Sequence, residues 1–187
     1  MVDMDQTLIE SVGEGAPRYN ESLGKILTYN TTTDINGITV SIPVTLKVSI
    51  RPNAVNMVKS IVDNGHTFIL WSAGAHDYVH TVMRYFNSVS GVEPTVIYTR
   101  LDMVPYKGNM YKSMISRGFS LEEFIILEDN PMLVHPDERS RVVKVIPWVF
   151  ESNDDMEMNW VSQLFKMYSA CCNNKNVRSV RLVPVNI

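Results

Sequence analysis

The stretch Met1-Val2-Asp3-Met4-Asp5-Gln6-Thr7-Leu8-Ile9 opens the chain and carries two acids, Asp3 and Asp5, just after an apolar start. In an extended chain residues i and i+2 share a side, so both carboxylates face one site while Met4 faces the other way. Such a pair is tolerable when a divalent cation lies between them or one acid is protonated. Asp3 is then placed to attack phosphorus and form an aspartyl-phosphate. Asp5 is placed to protonate the leaving oxygen and later take a proton from water. An Asp-rich turn or a helix cap is the plainer reading of Asp-x-Asp alone. The fuller Asp-x-Asp-x-Thr pattern, ending in Thr7, is more specific. A strand ordinarily holds about five residues, and only Met1 and Val2 precede Asp3. The expected first strand is therefore stunted, or it begins upstream of Met1.

Outward from this start, short apolar runs alternate with helical patterns. Thr28 to Asp34 reads as a polar loop and Asn36-Gly37 as a hairpin turn. From Ile38 to Ile50 every second residue is apolar, which predicts one or two half-buried strands with Pro43 at an edge or bend. Arg51-Pro52 opens a helix that Asn64-Gly65 ends. Thr67–Trp71, Thr95–Tyr98, Phe124–Leu127 and Val142–Ile146 read as strands. Helices are expected over His76–Phe86, over Asn109–Arg117 with Gly118 as its stop, and over Asp155–Tyr168. In the last of these Trp160, Leu164 and Phe165 form the inner face. The tail from Asn173 carries Val180, Leu182 and Val183, a possible added strand limited by Pro184. Alternating strands and helices predict an α/β, Rossmann-like fold: a mostly parallel sheet flanked by helices, with ligands at the carboxyl ends of the strands. The 187 residues suit a single domain, with an inserted β-hairpin near 19–50 and a tail near 173–187.

Composition narrows the function classes. The hydrophobic share of 45% and charged share of 20% are ordinary for a globular protein, and the net charge of −3 gives no global pull toward nucleic acid or an anionic membrane. Cys171 and Cys172 are adjacent, so a bridge between them would be strained, and no zinc spacing is present. A reducing, intracellular setting follows, cytoplasmic or nuclear. No apolar run approaches the ~18 residues of a membrane span, and no signal peptide is read at the N-terminus.

The remaining candidate site residues lie at strand ends. Ser72 follows Trp71. Its hydroxyl and the backbone N–H groups around Ala73 suit a phosphate oxygen, with a helix cap as the plainer alternative. A fixed cation near Asp3 would neutralise phosphoryl charge. Lys107 and Lys112 are the candidates, and local pattern does not separate them. Glu128-Asp129 closes an apolar strand with hard oxygen ligands of the kind Mg²⁺ takes. An acidic loop cap is the alternative there. Together these residues make a phosphoryl-transfer site of nucleophile, acid/base, hydroxyl, cation and metal ligands.

That order resembles the haloacid dehalogenase superfamily. More narrowly it resembles the phosphatases of the RNA polymerase II C-terminal domain, also called NLI-interacting-factor-like, from Asp3 to about Phe150. Asp3-Met4-Asp5-Gln6-Thr7 is similar to the family's first motif, Arg51-Pro52 to its Arg-Pro, and Trp71-Ser72-Ala73-Gly74 to its Phe-Thr-Ala-Ser. Lys107-Gly108-Asn109-Met110-Tyr111-Lys112 is similar to its Arg-Gly-Asn-Tyr-x-Lys, which selects Lys112. His135-Pro136 and Trp148 also have counterparts. The resemblance implies a Mg²⁺-dependent phosphatase acting on phosphoserine or phosphothreonine of a phosphoprotein or phosphopeptide. Asp3, Asp5, Ser72 and Lys112 would be catalytic, and Thr7, Ser72, Ala73 and Lys112 would hold substrate. The metal would be held by Asp3, the Asp5 backbone carbonyl and Asp129, with Glu128 beside it. Glu128-Asp129 departs from the family's Asp-Asn or Asp-Asp, and the segment between Thr7 and Arg51 is longer than in small members. The family's insert holds a substrate proline, so peptide preference is the property these departures bear on. A phosphatase for a small metabolite or a nucleic-acid 3′-phosphate is the alternative within the superfamily. A catalytically silent binding module is the alternative outside enzymes.

Overall fold

The computed structural model describes residues 1–19, 24–149 and 155–173. The order is β1 (Ile9–Gly13), β2 (Lys25–Ile35), β3 (Ile38–Ile50), α1 (Ala54–Asp63), β4 (Ile69–Trp71), α2 (His76–Ser90), β5 (Val96–Tyr98), β6 (Val104–Tyr106), β7 (Asn109–Tyr111), β8 (Ile126–Glu128), β9 (Val142–Lys144) and α3 (Glu157–Asn173). The parallel pairs β4/β5 and β8/β9 join through Val2, which bridges to Leu70 on one side and Leu127 on the other. The Val2 N–H donates to the Ile69 carbonyl at 2.8 Å, and the Asp3 N–H to the Leu127 carbonyl at 2.9 Å. The opening segment thus lies at the centre of a parallel α/β sheet.

Alternation along these strands sorts side chains onto two covered faces. Val2, Met4, Leu70, Ile125 and Leu127 pack with residues of α1, α2 and α3. Met1, Ile69, Trp71, Phe124 and Ile126 form a second cluster with Met114 and Val134. Met4 is fully buried on the first face, as the alternation around Asp3 requires. Asp3 and Glu128 continue the parity of Met1 and Ile126.

A separate antiparallel sheet, in the order β1-β3-β2, stands beside this core. The β2/β3 turn is Asn36-Gly37, both residues with positive φ (53° and 81°), the backbone a two-residue hairpin needs. Thr28 to Asp34 is strand rather than the expected loop. Threonine suits an extended chain, and the Asn-Gly turn fixes its pairing with β3. The 13 residues of β3 form one strand, and only its second half is shielded. Helix α1 starts at Ala54, after Asn53 with φ 62°.

The expected Asn109–Arg117 helix is absent. Lys107-Gly108 turns at positive φ (48° and 80°), so β6 and β7 form a hairpin, and a 3₁₀ turn over Ile115–Arg117 leads into Gly118. Helix α2 runs on to Ser90, where Gly91 ends it. In α3 Phe165 packs inward but Trp160 is 52% exposed, because Met158, Val161 and Phe165 define the buried side of the helix and Trp160 lies off that side. The proposed tail strand lies outside the described residues. Among the described residues no helix is long and apolar enough to cross a membrane.

Candidate active site

The first motif is a turn locked from several directions. Gln6 takes φ 58°, which lets the chain double back so that the Leu8 and Ile9 N–H groups both reach the Met4 carbonyl, at 2.8 and 3.1 Å. The buried Arg51 guanidinium donates to the carbonyls of Gln6 (3.3 Å) and Thr7 (3.4 Å) and pairs with Asp155. The Trp148 N–H donates to the Gln6 carbonyl at 2.8 Å. Arg51 and Trp148, matched above only by resemblance, therefore hold the motif's backbone. Thr7 is fully buried, and its hydroxyl has no partner among the described residues.

At the inner end, Lys112 Nζ donates to Asp3 Oδ1 at 2.5 Å and to Glu128 Oε2 at 2.6 Å, with all three side chains shielded from solvent. Two partners for one buried ammonium satisfy the condition under which a buried charge is tolerable. Burial alone would lower the lysine pKa, but Asp3 and Glu128 outweigh it and hold Lys112 above its ordinary value. Burial, then the Asp3 charge, pushes Glu128 above the ordinary carboxylate range. Lys112 leaves the β6/β7 hairpin with its backbone bonded on both sides. Its N–H reaches the Leu133 carbonyl at 2.8 Å, and its carbonyl accepts from the His135 N–H at 2.9 Å. Just beyond, the buried Glu138 accepts from the Ser113 hydroxyl and from the Met114 N–H at 2.8 Å.

On the cleft side, the Asp5 carboxylate accepts from Ser72 Oγ at 3.1 Å and from the Tyr78 hydroxyl. The Ser72 oxygen in turn accepts from the Gly74 N–H at 2.9 Å. Helix α2 begins only at His76, so Ser72 is not its cap. Burial raises the Asp5 pKa to about 6, with the Asp3 charge adding to it and the Tyr78 and Ser72 hydrogen bonds opposing it. Burial and the nearby Asp5 charge push the Tyr78 phenol up, so it stays a donor. The helical pattern over His76–Phe86 does not single out Tyr78 as a site residue. A phenol in the first turn after the Ser72 loop is the signal that could have marked it. An open cleft of about 520 Å³ lies over this group, walled by Ala73, Gly74 and Tyr78 on one side and by Tyr29, Val44 and Leu46 of the second sheet on the other.

Oxygen atoms of Asp3, Glu128 and Asp129 lie within 4.8 Å of one another. An all-oxygen donor set at this spacing fits a hard divalent cation. Burial and the Asp3 charge raise the half-buried Asp129, a pressure that a cation would relieve. Both Glu128 oxygens are engaged, Oε2 by Lys112 and Oε1 by the Asn130 N–H at 3.3 Å, whereas Lys112 takes only Oδ1 of Asp3. The Asp5 carboxylate stands outside this trio. The structure therefore brings Asp3, Lys112, Glu128 and Asp129 together, sets Asp5 with Ser72 beside them, and encloses Thr7.

The sequence matches the model of the NLI interacting factor-like phosphatase family over residues 1–178. No curated protein matches the chain. Among solved structures it is similar to a variant of the fission yeast RNA polymerase II CTD phosphatase Fcp1 bound to beryllium fluoride. That match has a TM-score of 0.59 and 15% identity, covering 92% of this chain and 50% of that one. A second structure of Fcp1, described as an essential RNA polymerase II CTD phosphatase, gives a TM-score of 0.59 and 15% identity over 96% of this chain and 57% of that one. The chain thus spans little more than half the length of these solved chains, and they share its fold. With the family model covering nearly all of the sequence, the chain belongs to the NLI interacting factor-like phosphatases.

Proposed function

We propose that the chain hydrolyses phosphomonoesters through an aspartyl-phosphate on Asp3, with Mg²⁺ as cofactor and phosphoserine or phosphothreonine of a protein as substrate. The observation that carries this reading is the placement of Asp3 and Asp5. Asp3 lies at the buried end of the site against a lysine ammonium, and Asp5 lies at the cleft with a raised pKa. Bound Mg²⁺, held by Asp3, Asp129 and the Asp5 backbone carbonyl, would neutralise phosphoryl charge. Lys112 holds the Asp3 carboxylate in one orientation and supplies a second positive charge. Asp5, protonated below its pKa, gives its proton to the leaving serine oxygen and takes one back from the hydrolytic water. The Ser72 hydroxyl keeps Asp5 turned toward the cleft, and the N–H groups near Ala73 suit a phosphoryl oxygen. An open cleft beneath a β-sheet suits a polypeptide better than a small metabolite. We place the reaction in one domain, with residues 19–50 as its insert, in a reducing intracellular setting.

Turnover of p-nitrophenyl phosphate by the wild type and by Asp3→Asn, with and without Mg²⁺, tests the reading. Activity should need the metal and vanish in the variant. Wild-type rates from Asp3→Asn would remove Asp3 as nucleophile.

A further inference from the structure

Among the described residues, nothing covers the apolar face of the outer half of the β2/β3 hairpin. In the register of this hairpin Tyr29 faces Val44, Thr31 faces Ile42, Thr33 faces Val40 and Ile35 faces Ile38, so all of these side chains share one face. The other face is polar apart from Ile26 and Pro43, with Thr28, Asn30, Thr32 and Asp34 opposed by Thr45, Pro43, Ser41 and Thr39. On the first face Tyr29 and Val44 wall the cleft, whereas Ile42, Val40, Ile35 and Ile38 continue outward in the open, Ile38 being 67% exposed. A row of aliphatic side chains on one face only is not a solvated surface.

The strand edge beside that face is open as well. Strand β1 ends at Gly13, opposite Leu46, and the Glu14 N–H donates to the Thr45 carbonyl at 2.9 Å. Among the described residues no main-chain hydrogen bond reaches β3 from that side beyond Thr45. By strand alternation Thr39, Ser41 and the Pro43 carbonyl point the same way as the Thr45 carbonyl. Pro43, which has no N–H, stands where an edge tolerates it. Gly13 and Val44 both line the cleft, so the open edge begins where the cleft ends.

We propose that the polypeptide flanking the phosphorylated residue leaves the cleft as an added strand in the line of β1, paired with the β3 edge at Thr39 and Ser41. Alternate apolar side chains of that flank lie on Ile42, Val40 and Ile38. The occupant is an extended peptide because the apolar face and the free edge run together out of the cleft, and a chain continuous with the bound phosphoester uses both. From Val44 to Ile38 the surface runs about 20 Å, at ~3.3 Å per residue, so the recognised flank reaches roughly six residues from the cleft. This inference rests on the phosphatase reading and adds the class of substrate it selects.

The experiment compares phosphoserine peptides with roughly one and roughly eight residues on each side, the longer ones carrying alternating Val-Thr flanks, with p-nitrophenyl phosphate as control. The long peptide should show a KM about tenfold below the short one. Ile38→Thr and Ile42→Thr, which keep strand propensity, should erase that advantage and leave p-nitrophenyl phosphate turnover and the thermal melt unchanged. Methylating the backbone nitrogens of the flank should also erase it. Equal KM for long and short peptides, or an advantage that survives both variants, would overturn the proposal. So would sedimentation showing that the variants dissolve a dimer, since the face would then belong to a second copy. Absence of p-nitrophenyl phosphate turnover in the wild type would count against the phosphatase reading itself, and with it this proposal.

Discussion

Tyr78 lies so close to Gly74 that a Cβ at Gly74 would stand 2.7 Å from the Tyr78 ring. That contact is what allows the phenol to reach Asp5 from the first turn of α2. Gly74→Ala should push the ring outward and break the Tyr78–Asp5 hydrogen bond. Phosphopeptide kcat should fall about tenfold, with Mg²⁺ affinity unchanged. Steady-state kinetics of Gly74→Ala beside Tyr78→Phe checks this, since the two variants should show the same defect.

The Asp5 pKa is raised to about 6, and the proposed first step uses its protonated form, so kcat/KM for a phosphoserine peptide should decline above about pH 6. The Tyr78 hydrogen bond lowers that pKa by favouring the carboxylate, so Tyr78→Phe should move the decline to higher pH. The same shift bears on stability. A carboxyl whose folded-state pKa exceeds its unfolded value favours the fold below the unfolded pKa and loses that contribution as pH rises through the folded pKa. Asp5→Asn should therefore match the wild type below pH 4 and exceed it by about 3 kcal/mol above pH 6, read from denaturant melts.

Lys112 is the charge the buried acids depend on. Lys112→Met leaves Asp3 and Glu128 facing each other without a cation, which should cost about 3–5 kcal/mol of stability and abolish turnover. Lys112→Met combined with Glu128→Gln should regain part of the stability and none of the activity. A urea titration of both proteins, next to a turnover assay, separates the two effects.

Glu138 is not among the residues lining the cleft, yet it holds the turn that follows Lys112. Glu138→Gln keeps the acceptor oxygen and should be mild. Glu138→Ala should strip partners from Ser113 and the Met114 N–H and lower stability by about 2–3 kcal/mol. Thermal melts of both variants check this order.

Much of the sheet was legible in the sequence because buried parallel strands are short apolar runs, and Thr67–Trp71 and Phe124–Leu127 stand out against polar surroundings. Asp3, Lys112 and Asp129 were legible through motif order. The β2 strand was not, because Thr28 to Asp34 carries the residues of a loop and becomes a strand only when Asn36-Gly37 folds it onto β3. The segment after Lys107 read as helix because apolar spacing over nine residues does not distinguish a helix from a hairpin followed by a 3₁₀ turn. Which of Glu128 and Asp129 the lysine takes depends on strand parity relative to Ile126, which becomes visible only when the faces are assigned. Tyr78 and Glu138 escaped notice because each acts on a residue distant in sequence.

The Gln6 turn does not rest on its own hydrogen bonds alone. Its left-handed residue is strained by itself, and further restraints come from Arg51, which is anchored 104 residues further on at Asp155, and from the backbone of Trp148. Catalytic competence therefore belongs to the completed tertiary structure. During synthesis the acids emerge before Arg51, Trp148 and Asp155 and acquire their working arrangement only once those residues are in place, so a chain cut between them carries the signature sequence without its chemistry.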